Sequence, residues 1–357
     1  MRLGGLNRVE LVTLVLAGLL TLATAILHFA GGRDVAAFIT ATIALAAIAW
    51  VVSFATEAVG ERFGPAVTGV LQSTLGNLPE LFIVLFALSA GEVVVAQTSI
   101  LGSIFANALL VLGLTVVAGA YRSRDGVMRF HARVANDTAT LLMLAVFIIV
   151  LLGLSDTVGD RASTHQTTIS AVGAVLLLSV YFVWLWGYLR GAETPGEGRA
   201  VQHAPRIGFP IAVGLLAASG VAAAFVSDWF VHALGPAVDR LGISRAFTGL
   251  VIVAIAGNAV EHVAAIVLAW KGKNDLAISV VKNSVSQIAV FLFPVLVLAS
   301  LFFATPLTFV MGPVFIGALV LTAISVWQVT TDGEAAAFEG WSLIALYTIL
   351  AVLVWYE

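Results

Sequence analysis

Two short motifs place a carboxylate inside long apolar stretches of the chain. The first is Gly76-Asn77-Leu78-Pro79-Glu80, and the second, 181 positions later, is Gly257-Asn258-Ala259-Val260-Glu261. An ionisable group at the depth of a membrane's hydrocarbon core is energetically costly and usually marks a functional site. Two such groups at matching positions of two halves predict an ion site between structural repeats.

The spacing within each motif indicates how oxygen ligands could converge. Asn77 and Glu80 are three residues apart and share one helix face, as do Asn258 and Glu261. Gly76 and Pro79 weaken the first helix beside its carboxylate and release backbone carbonyls from hydrogen bonding. Calcium prefers carboxylate, amide and carbonyl oxygens as ligands. We therefore expect a hard-oxygen metal site with Glu80 and Glu261 as its charged ligands.

Further polar residues follow each motif, one predicted helix later. Ser103 and Ser284 match under the same offset of 181 positions. Asn107 lies one helical turn after Ser103, and Gln287 lies one turn after Asn283, so each pair forms a stripe that can face the carboxylates. These stripes extend the candidate cation and proton site beyond the two motifs.

Composition identifies the elements that must position these residues. The chain is 61% hydrophobic and 10% charged, whereas soluble proteins average about 25% charged residues. Apolar runs of roughly 20 residues, the length of a membrane-spanning helix, separate the charges, and they lack the alternation of barrel strands. The pattern predicts an all-α polytopic membrane protein with eleven transmembrane helices, at about 9–30, 35–56, 66–90, 94–119, 132–153, 168–189, 207–228, 244–270, 275–300, 306–328 and 337–356.

The predicted spans divide into one N-terminal helix, residues 1–32, and two halves of five spans each. The halves are 33–190 and 207–357, and the polar segment 191–206 reads as a cytoplasmic linker. Because five is an odd number, the second half should cross the membrane in the opposite orientation. Inverted repeats with a helix break at the same place in each half are typical of secondary transporters.

Basic residues in the predicted loops indicate the orientation. The N-terminal side carries twelve Lys and Arg residues and the opposite side carries four, and cytoplasmic loops are enriched in these residues. We expect a multi-pass protein of the cell membrane with a cytoplasmic N-terminus and an external C-terminus. The sequence has no basic face that would indicate nucleic acid, its zero cysteines exclude thiol chemistry, and it leaves the oligomeric state open.

At these residues the chain resembles the cation/calcium exchanger superfamily, and most closely its proton/calcium antiporter branch. The paired Gly-Asn-x-x-Glu motifs carry most of the resemblance. Other similar stretches are Ala55-Thr56-Glu57, Gly64-Pro65, Leu101-Gly102-Ser103 with Asn107, Ala246-Phe247, Gly249-Leu250, and Ser284 with Gln287 and Pro294.

The resemblance implies a secondary transporter and not an enzyme. Such a transporter would export cytosolic Ca²⁺ in exchange for protons by alternating access, with no cofactor besides the transported ions. It also implies that Glu80 and Glu261 bind the ion and the protons alternately. The residues that the resemblance places along the path are Asn77, Asn258, Ser103, Ser284 and Gln287.

Three residues near the motifs leave alternatives open. Lys282 could extend to the membrane interface or act as a positive charge in the pathway. His262 could relay protons or be a packed histidine with a satisfied ring, and Glu57 could be a solvated helix end or part of a cytoplasmic funnel.

Other function classes remain beside the calcium antiporter. A positive charge at Lys282 makes a Na⁺ or K⁺/H⁺ antiporter on the same fold the alternative function. An intramembrane metalloenzyme needs several nitrogen or carboxylate ligands in one place, and of the six histidines only His262 falls well inside a predicted span.

Overall fold

The computed structural model describes residues 6–60, 71, 74–191 and 207–357. Gly64-Pro65 and nearly all of the predicted linker 191–206 lie outside the described residues. Eleven helical elements follow one another in the described part: α1 Arg8–Ala30, α2 Asp34–Gly60, α3 Leu78–Ser89, α4 Val93–Arg122, α5 Ala132–Val158, α6 Gln166–Gly191, α7 Phe209–Leu241, α8 Arg245–Trp270, α9 Asn274–Ser300, α10 Pro313–Thr330 and α11 Ala337–Trp355.

The predicted fold class is confirmed, because ten of these helices are long and apolar enough to cross a membrane. The exception in the described part is α3, with 12 residues. It belongs to the predicted span 66–90, of which residues 66–70 and 72–73 lie outside the described part. Large apolar side chains such as Val183 and Ile349 point outward, as expected for helices surrounded by lipid.

Two predicted boundaries were wrong by more than a few residues. Helix α7 continues to Leu241, beyond the predicted end at 228, because Phe230, Leu234 and Val238 keep one face buried past the polar Asp228. Helix α10 begins at Pro313, and not at 306, because proline is favoured in the first turn of a helix.

Two short strands lie in segments that the sequence predicted to have no strand. Strand β1, Val127–Arg129, pairs antiparallel with β2, Glu334–Ala336, so that Met128 lies opposite Ala335. The pairing joins the connection after α4 to the connection before α11.

The chain forms two compact units that do not follow the two sequence halves. Unit 1 comprises the described residues of Met1–Ala90, Phe182–Ile243 and Ala256–Val260. Unit 2 comprises Gly91–Tyr181, Ser244–Ile255 and Glu261–Glu357. Each unit therefore contains segments from both halves.

Unit 1 is built around α2, which packs along α1 and α7, while α3 also packs against α7. Small residues on α2, including Ala41, Ala44 and Ala55, are fully buried and let the helix backbones approach closely, as is usual in membrane proteins. Arg240 pairs with Asp34 at 3.2 Å where α7 ends beside the start of α2.

Unit 2 is centred on α4, whose residues are nearly all buried. It packs against the first part of α8 and against α11. Glycines make these crossings tight: a β-carbon on Gly113 would lie 2.6 Å from the Gly340 carbonyl oxygen, and one on Gly249 would lie 2.9 Å from the Val95 carbonyl oxygen. Neither position has room for a side chain.

Contacts between charged and polar side chains link the connecting segments at one end of unit 2. Arg129 pairs with Asp125 at 2.7 Å and with Glu334 at 3.2 Å, and His131 lies 3.0 Å from Asp275 at the start of α9. The hydrogen bond from Arg129 holds the pKa of Asp125 below its ordinary value. These contacts tie the β1 segment to the connections before α9 and α11.

The helical hairpins that contain the two motifs have the same local backbone, position by position. Helix α3, Leu78–Ser89, and the second part of α8, Ala259–Trp270, have identical bounds after a shift of 181. The turns that follow contain Gly91 and Gly272 at φ 79° and 76°, a conformation that favours glycine. Helices α4 and α9 then begin at Val93 and Asn274. The inverted orientation of the two halves stays a prediction.

Candidate functional site

Both motifs interrupt a helix at their asparagine. Residues 74–76 are helical, Asn77 is a turn residue, and α3 begins at Leu78. In the second motif, Ala254–Gly257 is helical, Asn258 is a turn residue, and the helix resumes at Ala259. The predicted helix break is therefore observed in both copies, including the second copy, which lacks the proline.

The breaks place each glutamate in the first turn of a new helix segment. Backbone N–H groups point outward there and the helix dipole favours negative charge. The same Asn-x-x-Glu spacing at the start of α1 forms a reciprocal capping box, in which the Glu10 N–H donates to Asn7 at 2.9 Å and the Asn7 N–H donates to Glu10 at 2.6 Å. Within the described residues, Asn77 forms no such side-chain cap.

In unit 1 the site residues are Glu80, Asn77 and Asn258. Glu80 is only 1% exposed, and both asparagines are buried. A β-carbon on Gly257 would lie 3.8 Å from the β-carbon of Glu80. The break of the second motif therefore lies beside the carboxylate of the first.

In unit 2 the site is formed by Glu261 and by residues of α9. The Ser284 hydroxyl interacts with the Glu261 carboxylate, although at a geometry short of a full hydrogen bond. In the part of the chain that the structure describes, Ser284 Oγ and Glu261 Oε2 are buried and have no hydrogen-bond partner. Two oxygens close to each other thus remain available to a third group.

Asn107 and Gln287 add two more oxygens to unit 2. The Asn107 side-chain amide nitrogen donates a hydrogen bond to the Ser103 carbonyl at 3.0 Å. The Oδ1 atom of Asn107 takes no part in this bond. Asn107 Oδ1 and Gln287 Oε1 are buried and have no hydrogen-bond partner among the described residues. Ser103 is fully buried on α4, one turn before Asn107.

A change of helix type accompanies these residues. Asn107 lies in a π-helical segment of α4, Ala106–Val111, and Gln287 immediately precedes a π-helical segment of α9, Ile288–Leu292. The α4 segment packs against α9. Such π-helical turns widen the helix and are frequent at functional sites. Their occurrence at matching positions could not be predicted from residue types.

The three residues with open alternatives have different outcomes. Lys282 is 2% exposed, which argues against the interpretation that its side chain extends to the membrane interface. His262 is buried, and its Nε2 has no hydrogen-bond partner among the described residues, which argues against a fully satisfied ring. Glu57 is exposed near the end of α2, which is compatible with either of its interpretations.

Thr56 is a polar residue that the candidate site had omitted. Its hydroxyl is fully buried in unit 1 and has no hydrogen-bond partner in the described ranges. The available signal was its place in the Ala55-Thr56-Glu57 stretch inside a predicted span. A threonine hydroxyl in a helix normally bonds its own helix backbone, so nothing in the residue pattern selected Thr56.

The buried, unbonded oxygens of unit 2 thus include Glu261 Oε2, Ser284 Oγ, Asn107 Oδ1 and Gln287 Oε1, which lie on three helices. Buried polar atoms are almost always satisfied, so a group of exceptions requires a partner such as an ion. One carboxylate with neutral oxygens suits a hard cation or a proton, and it does not suit a soft transition metal.

Comparison with known proteins agrees with this chemistry. The family model for the sodium/calcium exchanger protein family matches residues 34–189 and 211–356. The Ca(2+)/H(+) antiporter ChaA of Bacillus subtilis (strain 168) is 31% identical over 353 residues, which cover 97% of this chain and 99% of that protein. The vacuolar calcium ion transporter of Schizosaccharomyces pombe is 32% identical over 326 residues, covering 89% of this chain and 79% of that protein.

A solved structure shares the fold along nearly the whole chain. The structure of native YfkE superposes with a TM-score of 0.81 at 28% sequence identity, covering 97% of this chain and all of that one. The chain therefore belongs to the sodium/calcium exchanger protein family, within the proton/calcium antiporter branch of the cation/calcium exchanger superfamily.

Proposed function

We propose that this protein exchanges Ca²⁺ for protons across the membrane and exports Ca²⁺ from the cytosol. The observation that carries the proposal is the buried, unbonded pair of Glu261 Oε2 and Ser284 Oγ in unit 2, with further unbonded oxygens on α4 and α9. The names of the curated relatives, Ca(2+)/H(+) antiporter and vacuolar calcium ion transporter, support the same ion pair.

Glu80 and Glu261 are the proposed exchange groups. Each is the glutamate of one Gly-Asn-x-x-Glu copy, and each begins a helix segment after a break. Each ionised carboxylate is costly inside a membrane, in a medium of low dielectric constant. Either one Ca²⁺ or two protons neutralise them, so the two ligands compete for the same state, and this competition is the basis of exchange.

The coupling is obligatory for the same reason. Two ionised glutamates without a bound cation are costly to carry through the hydrocarbon layer, so the transporter should change its open side only when loaded. Two protons per Ca²⁺ is the smallest ratio that neutralises both glutamates at each crossing. An inward proton gradient would then drive Ca²⁺ outward, given the predicted cytoplasmic N-terminus.

A Na⁺ or K⁺/H⁺ antiporter is the second candidate, and Lys282 is the observation that favours it. Its side chain is buried on α9, two residues before Ser284. A positive charge near the site weakens the attraction for a divalent cation more than for a monovalent one, because the repulsion scales with the charge of the bound ion.

The test is ion flux into proteoliposomes that contain the purified full-length protein under an imposed pH gradient, with Ca²⁺, Na⁺ and K⁺ offered separately. Ca²⁺ movement coupled to opposite proton movement is the expected result. Proton-coupled Na⁺ or K⁺ flux without Ca²⁺ flux would select the second candidate.

Glutamine variants test the two glutamates. Glu80→Gln and Glu261→Gln should each reduce exchange to the level of empty liposomes, because a neutral amide cannot alternate between proton and cation. The matched control is Glu334→Gln, whose carboxylate is half exposed in an ion pair with Arg129. Full exchange by either site variant, with correct folding in size-exclusion chromatography, would refute the paired-carboxylate mechanism.

A further inference from the structure

A cavity of about 320 Å³ lies between α5 and α6 in unit 2. Its two walls include Leu151 on α5 and Leu176 on α6, and its polar end is formed by Ser155 and Gln166. This volume is at the lower end of the range for small-ligand sites. We call this cavity the α5–α6 groove.

The groove is lined by apolar side chains, apart from Ser155 and Gln166 at its polar end. At the opposite end Gly173 packs against Ile148, where an added β-carbon would lie 3.1 Å from Ile148 Cγ2. Seven residues of helix separate Ile148 from Ser155, a depth of about 10 Å. Leu151 and Leu176 are 52% and 57% exposed on helices that are apolar enough to span a bilayer. A slot of this kind in hydrocarbon is filled by an acyl chain, because water is excluded there.

The polar end carries charges of both signs. Ser155 donates a hydrogen bond to Asp160 at 2.5 Å, and Gln166 donates one to Asp156. The bond from Ser155 lowers the pKa of Asp160, so this carboxylate is ionised at neutral pH. Arg161 is exposed beside them and forms no salt bridge with any residue that the structure describes.

We propose that the α5–α6 groove binds one phospholipid whose headgroup carries both an ammonium and a phosphate. The acyl chain would occupy the apolar slot, the ammonium would contact Asp156 and Asp160, and the phosphate would contact Arg161. A headgroup with a phosphate and no amine would also contact Arg161, but it would leave the two carboxylates without a cationic partner and add a negative charge beside them. The charge pattern therefore selects a phosphoethanolamine headgroup over an anionic one.

Native mass spectrometry of the delipidated full-length protein tests this proposal. Phosphatidylethanolamine, phosphatidylglycerol and phosphatidylcholine with identical acyl chains would be titrated separately. We expect one phosphatidylethanolamine to bind about tenfold more tightly than phosphatidylglycerol. Phosphatidylcholine should also bind more weakly, because its quaternary ammonium cannot donate hydrogen bonds to Asp156. Asp156→Asn should reduce the preference for the amine.

Matched tryptophan variants locate the binding site. Leu176→Trp fills the groove and should weaken binding about tenfold, while Val175→Trp, on the adjacent exposed position outside the groove, should retain it. Leu151→Trp fills the groove from the opposite wall. It replaces Leu176→Trp in the binding measurement if Leu176→Trp does not fold. Equal binding of all three lipids, a preference for phosphatidylglycerol, or equal binding by the groove-filling and control variants would overturn the proposal.

Discussion

The backbone of α4 at Gly102 lies directly on the backbone of α8 at Leu250. A β-carbon on Gly102 would lie 2.5 Å from the Leu250 α-carbon and would overlap its carbonyl oxygen. Both residues belong to stretches on which the family resemblance rests, although they are 148 positions apart. Because Ser103 follows Gly102 directly on α4, this contact also positions Ser103, one of the proposed path residues.

Gly102→Ala should therefore destabilise the protein and reduce exchange. Backbone atoms cannot yield as a flexible side chain can, so we expect a loss of about 1–3 kcal/mol in unfolding free energy. Thermal unfolding in detergent and flux in proteoliposomes would measure the two effects. Gly220→Ala on α7 is the control, because no atom lies within 4 Å of its added β-carbon. If the two alanine variants were equally stable and active, close approach at Gly102 would not be required.

Alanine substitutions of two neighbouring serines on α9 should have different effects, one on stability and the other on Ca²⁺ affinity. Ser286 donates to the Lys282 carbonyl at 3.0 Å, so Ser286→Ala should cost about 1 kcal/mol of stability with unchanged Ca²⁺ affinity. Ser284→Ala removes a buried oxygen that faces Glu261 and should weaken Ca²⁺ affinity about tenfold with little change in stability. Isothermal titration measures the Ca²⁺ affinity, and thermal unfolding measures the stability. If Ser284→Ala lost stability without losing Ca²⁺ affinity, Ser284 would be a packing residue and not a ligand.

Lys282→Met should raise the affinity for Ca²⁺ by several-fold. The substitution removes a buried amine from the helix that carries Ser284 and Gln287, and in its protonated form this amine would repel Ca²⁺ strongly at low dielectric constant. Lys282→Arg, which retains the charge, is the control. The measurement is the Ca²⁺ concentration at half-maximal flux, and identical values for the Met and Arg variants would show that this charge does not influence the site.

The ion pair of Asp125 with Arg129 should stabilise the β1 segment in a pH-dependent way. The pKa of Asp125 is lowered in the folded protein, so the stabilisation is complete above the unfolded value and is lost as the pH falls through the folded value. Arg129→Gln should reduce hydrogen-exchange protection of residues 123–130 at pH 7 but not below the folded pKa of Asp125. The control is Arg124→Gln. Equal reductions at both pH values would exclude the ion pair as the cause.

Much of the candidate site could be predicted because its signals are local. The breaks at Asn77 and Asn258 follow from glycine and capping residues inside apolar runs. The shared backbone of the two hairpins follows from one offset that aligns Gly91 with Gly272. The capping spacing of Asn-x-x-Glu was present in the sequence too, and it could have placed each glutamate in the first turn of a helix segment.

Other features depend on neighbours that are distant in sequence. The π-helical segments beside Asn107 and Gln287 arise where α4 and α9 pack together, and the buried hydroxyl of Thr56 depends on what covers α2. The strand pair β1–β2 joins residues about 200 positions apart. Residue type and local spacing contain no information about such partners.

The sequence by itself determined the membrane-spanning helices and the two paired motifs, because run length and periodicity are properties of neighbouring residues. Only the tertiary structure decided that Lys282 is enclosed by protein, and that Glu261 faces Ser284 among unbonded oxygens. Burial and hydrogen bonding depend on which helices meet. In a chain where nearly every helix is apolar on all sides, the sequence pattern does not distinguish a face that contacts lipid from one that contacts another helix.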